Sequence, residues 1–169
     1  SRKKLDFVIL DLNEPKIFQD KFSKFNVCDK DNSDLIEGDV IINLAAEHRD
    51  DVKPLSKYSE VNIGGAKNIC AIAEKNGINT IVFTSSVAVY GFADKNTGED
   101  GKVRPFNEYG ATKAEAEKIY LDWYKKNPEK RKLIIIRPTA IFGKNNRGNI
   151  YNLFKQINSG FFLMIGSGK

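Results

Sequence analysis

Tyr109 and Lys113 stand four residues apart in the segment Asn107-Glu108-Tyr109-Gly110-Ala111-Thr112-Lys113. If the segment is helical, both side chains leave from one face. A lysine beside a tyrosine favours the phenolate, so a lowered tyrosine pKa is expected. A phenolate brought closer to neutral pH can act as a general base. Ser86, in Phe83-Thr84-Ser85-Ser86-Val87-Ala88-Val89-Tyr90-Gly91, is placed to hold the same substrate oxygen. By itself, the Tyr-x-x-x-Lys pair reads first as a tyrosine packed on a core beside a solvated lysine. His48 is the only histidine; it could face a ligand or be a satisfied structural residue. Neither Cys28 nor Cys70 has ligand spacing to it, so no metal site is expected, and Cys70 reads as buried packing.

The elements that must position these residues alternate between strand and helix. Strands are expected over 5–10, 24–28, 39–44, 80–84 and 132–137. Helices are expected over 61–75, 107–126 and 149–157, the first stopping at Asn76-Gly77 and the last at Ser159-Gly160. Continuous apolar strands separated by amphipathic helices imply a parallel sheet covered on both faces. The expected fold class is therefore α/β, a doubly wound parallel sheet. Ligands of such sheets bind at the carboxyl ends of the strands. That rule singles out Asp11-Leu12, Asp29-Lys30, Ala45-Ala46-Glu47-His48, Ser85-Ser86 and Pro138-Thr139. Residues 92–104, rich in glycine and charge, read as a loop leading to the long helix. Trp123, Tyr120 and Ile119 extend that helix's apolar face and read as core or helix–helix packing.

The 169 residues are 41% apolar and 29% charged, which suits one domain with a sizeable core and excludes a largely disordered chain. The 27 basic and 22 acidic residues leave a net charge of +5. A solvated surface accounts for it. The densest basic run, 125–132, falls where a helix C-terminus favours cations, and no nucleic-acid motif accompanies it, so no nucleic-acid partner is expected. No apolar run approaches the roughly 20 residues of a membrane helix, and the start lacks the pattern of a signal peptide. With two cysteines and no disulfide framework, a cytoplasmic setting is expected.

The order of these features narrows the reading. Asn43-Leu44-Ala45-Ala46, Val61-Asn62-Ile63-Gly64-Gly65, Thr84-Ser85-Ser86-x-x-Val89-Tyr90-Gly91, Tyr109-Gly110-Ala111-Thr112-Lys113 and Arg137-Pro138-Thr139-Ala140-Ile141-Phe142-Gly143 follow one another along nearly the whole chain. The chain thereby resembles the extended short-chain dehydrogenase/reductase superfamily, and within it the NAD-dependent nucleotide-sugar epimerase/dehydratase family. The resemblance implies a Rossmann-like fold with NAD as cofactor and a nucleotide sugar as substrate. Tyr109 would be the acid/base, and Lys113 would hold the nicotinamide ribose and depress the Tyr109 pKa. Ser86 would bond the reacting sugar oxygen, with Val87 beside it in the substrate site. Pro138 would lie near the nicotinamide, Leu44, Ala45 and Ala46 would line the dinucleotide cleft beside Thr84 and Ser85, and Asp29-Lys30 would meet the adenine. Asp11, followed by Leu12, sits where a carboxylate accepts the ribose hydroxyls and repels a 2′-phosphate, which selects NAD over NADP. It could instead cap a turn. The resemblance also implies a homodimer through the helices over 61–75 and 107–126.

Departures from the family pattern refine the expected chemistry. Residues 1–10 contain no glycine, so the chain is expected to lack the first strand and the glycine-rich phosphate loop. Residues 1–147 would form a partial NAD-binding domain, and 148–169 the truncated start of a substrate-binding lobe. A fragment of this kind, alone, would bind NAD weakly and turn nothing over, because the pyrophosphate loses its helix N-terminus. Val87-Ala88 stand where family dehydratases carry an Asp-Glu pair, which disfavours elimination. Epimerisation, at C4 of the sugar, is the leading expectation. Reduction of a 4-keto nucleotide sugar, or a catalytically inactive fragment or binding module, are the alternatives. Ala140 replaces an asparagine that in epimerases touches the nucleotide diphosphate, which puts that grip in doubt. Lys144 and Arg147 could meet phosphate instead, or be a solvated basic loop.

Overall fold

A computed structural model describes residues 40–49, 51–143, 146 and 148–160. The expected strands over 5–10 and 24–28, with Asp11, Leu12, Asp29, Lys30 and Cys28, lie outside the described residues, as do Lys144 and Arg147. The chain divides into two compact units, one ending at Arg137 and the other beginning at Pro138.

In the first unit the β-branched runs form strands β1 (Val40–Asn43), β2 (Thr80–Thr84) and β3 (Lys132–Ile136), hydrogen-bonded in that order and all parallel. Parallel neighbours require crossovers, and helices supply them. After β1, a helical turn (Ser56–Tyr58) and a π-helical turn (Ser59–Gly64) lead into α1 (Gly65–Lys75). After β2, a 3-10 turn (Val87–Tyr90) and the loop over 92–104 lead into α2 (Glu108–Lys125). Helix α1 stops where expected, since Asn76 Nδ2 caps the Ile72 carbonyl at 2.9 Å and Gly77 takes a φ of 66°.

The register aligns Ile41, Ile81 and Leu133, and two residues on Asn43, Phe83 and Ile135. The strands' period of two sends this row to one face, where Ala66, Ile69 and Ala73 of α1 and Ala116, Tyr120 and Trp123 of α2 close over it. Burying Ile81 or Phe83 this completely contributes roughly 1.5–3 kcal/mol each. Trp123 and Tyr120 thus belong to the core. Cys70 packs in the same cluster, and burial pushes its thiol up to about 12, the behaviour of an inert packing residue. The opposite row, Val40, Ile42, Ile134 and Ile136, is exposed, so among the described residues helices cover one face of the sheet. The second unit contains α3 (Asn149–Asn158), close to its expected span, with Tyr151, Leu153, Phe154 and Ile157 exposed.

Candidate active site

Strand β2 delivers Thr84, Ser85 and Ser86 to its carboxyl end, and α2 delivers Tyr109 and Lys113. Ser86 is extended, with φ −160° and ψ 152°, and caps the 3-10 turn by accepting a 3.1 Å hydrogen bond from Ala88 N at Oγ. Its hydroxyl hydrogen is left to donate to the Tyr109 oxygen. Asn107 caps α2 by accepting from Gly110 N at 2.8 Å. Gly110 then lets the first turn of α2 close on the 3-10 turn, since a Cβ there would fall 2.5 Å from the Ala88 carbonyl oxygen. Gly91, at φ 63°, has no room for a Cβ against the Arg104 carbonyl. It closes the loop that returns the chain to α2, where Arg104 N donates to Val89 O at 2.9 Å. Two glycines and two polar caps therefore bring Ser86 and Tyr109 together.

The tyrosine's acidity runs opposite to expectation. Burial holds the Tyr109 hydroxyl above its ordinary value of 10, and the Ser86 hydrogen bond offsets only part of this. The Lys113 ammonium is directed to the strand instead. Lys113 is 2% exposed. Its Nζ donates to the Thr84 carbonyl at 2.7 Å and lies 4.6 Å from the Phe83 ring centroid. Burial draws the lysine down to about 8, with Glu117 pulling the other way. An ammonium has three donors, and among the described residues one is used. Ser85 Oγ, at the same strand end, is buried without a partner. Unspent lysine donors and an orphaned hydroxyl fit the hydroxyl-rich ribose of a dinucleotide.

The other expected positions are more dispersed. Leu44 is 73% exposed, Ala46 is half-buried, and Ala45 packs partly against the core while its N–H donates to Asn43 Oδ1 at 3.0 Å. Val87 opens the 3-10 turn after Ser86. Pro138 begins the second unit. His48 is exposed, its ring facing the Ala46 carbonyl at 3.5 Å. No cluster of metal-ligating side chains occurs among the described residues.

The sequence reading missed the polar residues that tie the site's elements together. Asn62, in the π-helical turn, accepts from Glu47 N at 2.9 Å and donates to Glu47 O at 3.1 Å and Thr112 Oγ1 at 3.0 Å. It thereby fastens the loop after β1 to the helix carrying Tyr109. Asn43 Nδ2 donates to Tyr120 OH at 2.8 Å inside the core. Glu117, 4% exposed, takes a two-pronged ion pair from Arg137. A buried polar residue amid helical spacing was the available signal, but spacing does not name a partner 50 residues away.

The family described as NAD dependent epimerase/dehydratase matches residues 3–169. An N-acetyl-alpha-D-glucosaminyl-diphospho-ditrans,octacis-undecaprenol 4-epimerase of Escherichia coli O157:H7 is 55% identical over 130 residues, 77% of this chain and 39% of that protein. A UDP-glucose 4-epimerase of Vibrio cholerae is 32% identical over 136 residues, 76% of this chain and 40% of that protein. The chain thus spans about two fifths of the length of these curated relatives. The fold is that of the UDP-glucuronic acid 4-epimerase of Bacillus cereus, solved in complex with NAD, at a TM-score of 0.65 and 23% identity over 79% of this chain and 43% of that one.

Proposed function

The chain belongs to the NAD-dependent epimerase/dehydratase family, and we propose that the whole protein uses NAD to invert C4 of a sugar carried on a diphosphate. One arrangement carries the reading: the Tyr109 hydroxyl bonded to an anchored Ser86 hydroxyl, with a buried lysine one helical turn away. NAD, when bound, supplies hydride chemistry at the sugar carbon and a positive charge that favours a nearby phenolate. Tyr109 takes the proton from the O4 hydroxyl as C4 is oxidised and returns it as C4 is reduced, so no net proton is exchanged. With substrate bound, Ser86 turns its one hydroxyl hydrogen from Tyr109 to O4 and holds that oxygen against Tyr109. Lys113 binds the ribose hydroxyls with its two unspent donors. Leu44, Ala45, Ala46, Thr84, Ser85 and Pro138 are assigned to the cofactor cleft, Val87 to the substrate side, and Asp11, Leu12, Asp29 and Lys30 to the adenosine half. The apolar pair Val87-Ala88 adds no further acid or base, in keeping with epimerisation rather than elimination.

The relatives' names place the sugar on undecaprenol diphosphate in one case and on UDP in the other. The polyprenyl diphosphate is the preferred carrier, because that relative is the more similar and because Ala140 lacks the amide expected to grip a nucleotide diphosphate. We further assign a homodimer through α1 and α2, with the exposed Leu121 at its seam. The setting proposed is the cytoplasm, in keeping with an unpaired Cys70. No helix among the described residues is long and apolar enough to cross a membrane.

The test uses the full-length protein with NAD and N-acetylglucosamine on either a short-chain polyprenyl diphosphate or UDP, with the C4 epimer ratio read by proton NMR. Epimerisation that Tyr109→Phe reduces about a thousandfold or more is expected. Net consumption of NADH with a 4-keto sugar would replace the reading by a reductase. An inert enzyme with both carriers would overturn it.

A further inference from the structure

Lys113 is a buried ammonium whose partners come from each element packed on it. Strand β2 offers the neutral Thr84 carbonyl and the Phe83 ring. The 3-10 turn after β2 carries no ionisable group nearer than Tyr90. Its own helix offers Tyr109 on one side and Glu117 on the other, each one turn away on the same face. Glu117 is therefore the negative group that acts on Lys113. It is itself 4% exposed, and burying a carboxylate is costly unless it is paired. Arg137, just past β3, provides it, with Nε 2.9 Å from Oε1 and Nη2 2.6 Å from Oε2. Two parallel bonds fix the carboxylate's plane as well as its charge. The third nitrogen of the guanidinium, Nη1, donates to Tyr90 OH at 2.5 Å and to the Glu99 carbonyl at 2.8 Å, and the guanidinium carbon lies 5.0 Å from the Tyr90 ring centroid. Tyr90 closes the 3-10 turn that Ser86 opens.

We propose that Glu117 and Arg137 are positioning residues for the reaction: Glu117 is the counter-charge of Lys113, and Arg137 clamps it there while fastening the Ser86 turn to the Tyr109 helix. The proposal rests on the reading of Tyr109 and Lys113 as the working pair. Its consequence follows by sign. Without the Glu117 charge, Lys113 loses what opposes its desolvation and sheds its proton at a lower pH. The ribose then loses its cationic partner from a lower pH upward. A purely structural ion pair would lower stability and leave that limit in place.

The experiment compares the full-length enzyme with Glu117→Gln, Glu117→Gln/Arg137→Gln and Arg137→Lys. It reads kcat/KM and, by calorimetry, NAD affinity between pH 6 and 9.5. In Glu117→Gln the alkaline fall of both quantities is expected to move down by about one pH unit, near tenfold on the falling limb. The double variant does not leave the Arg137 guanidinium facing a lost carboxylate, so it keeps the question answerable if the single one fails to fold, and the same shift of Lys113 is expected of it. Arg137→Lys retains a cation but not the fork, so its limb stays while its melting temperature falls. Glu117 variants that are less stable but keep the wild-type alkaline limb would overturn the proposal. That outcome, with Tyr109→Phe inactive, leaves the catalytic reading standing. An active Tyr109→Phe would instead sink the catalytic reading.

Discussion

Replacing Lys113 by methionine is expected to stabilise the protein at neutral pH while removing its activity. The unfolded lysine has a pKa of 10.5 and the folded one about 8. A depressed lysine is a cost at low pH, because the folded chain holds its proton less readily than the unfolded chain. The difference is about 2.5 units, and at pH 7 it amounts to roughly 3 kcal/mol against folding. Methionine removes that cost and fills a similar volume. It also loses the bond to the Thr84 carbonyl and the contact with the Phe83 ring, together about 2 kcal/mol. The balance favours the variant by about 1 kcal/mol, or a melting temperature about 2–4 °C higher for a chain of this size. The sign reverses with pH. Between about pH 8 and 10.5 the unfolded lysine keeps a proton that the folded one has released, so the wild type gains stability as pH rises. By pH 10 it recovers roughly 2.5 kcal/mol, and the methionine variant becomes the less stable. Cys70, Tyr109 and Tyr120 titrate high in both proteins and cancel in the difference. Urea unfolding of both proteins at pH 7 and pH 10, without NAD, measures it. A variant already less stable at pH 7 would refute the reasoning, because it would mean that the lysine's partners outweigh its desolvation.

Two further expectations concern the joints of the site. Gly110→Ala places a methyl group 2.5 Å from the Ala88 carbonyl oxygen and 3.0 Å from the Pro105 Cβ. It should cost about 1–3 kcal/mol in urea unfolding and lower kcat by pushing the Ser86 turn away, whereas an unchanged kcat would mean that the turn adapts. Asn62→Ala removes three hydrogen bonds and leaves Glu47 N and Thr112 Oγ1 short of a partner. A loss of about 2–3 kcal/mol is expected, seen as a melting temperature about 4–12 °C lower, and a stability within a few tenths of wild type would show that water replaces the amide.

The direction of the Tyr109 shift shows where local reasoning stops. Spacing puts Tyr109 and Lys113 on one face, and the structure keeps them there. The lysine nevertheless spends its first donor on the Thr84 carbonyl, a partner 29 residues earlier in the chain. What remains at Tyr109 in the protein alone is burial and a serine. The lowered tyrosine pKa expected from sequence therefore needs a further positive charge in the site, which is the role we assign to NAD.

The sequence by itself determined the elements and their order, because strand and helix periodicities are local and β2, α2 and β3 each form within a residue or two of their expected limits. It also pointed to Ser86, Tyr109 and Lys113 as candidates near a strand's carboxyl end, since a parallel sheet with helical crossovers leaves one end for a ligand. Tertiary structure decided the rest. Glu117 reads as one more charged helix residue until Arg137, 20 positions later, turns out to face it. Asn62 reads as part of a helix start until Thr112 arrives from 50 residues away. Lys113 reads from its spacing alone as either a solvated or a working lysine until the Thr84 carbonyl and the Phe83 ring of β2 meet it. Burial and long-range pairing depend on which surfaces meet, and a pattern of residues along one element carries no record of what lies across from it.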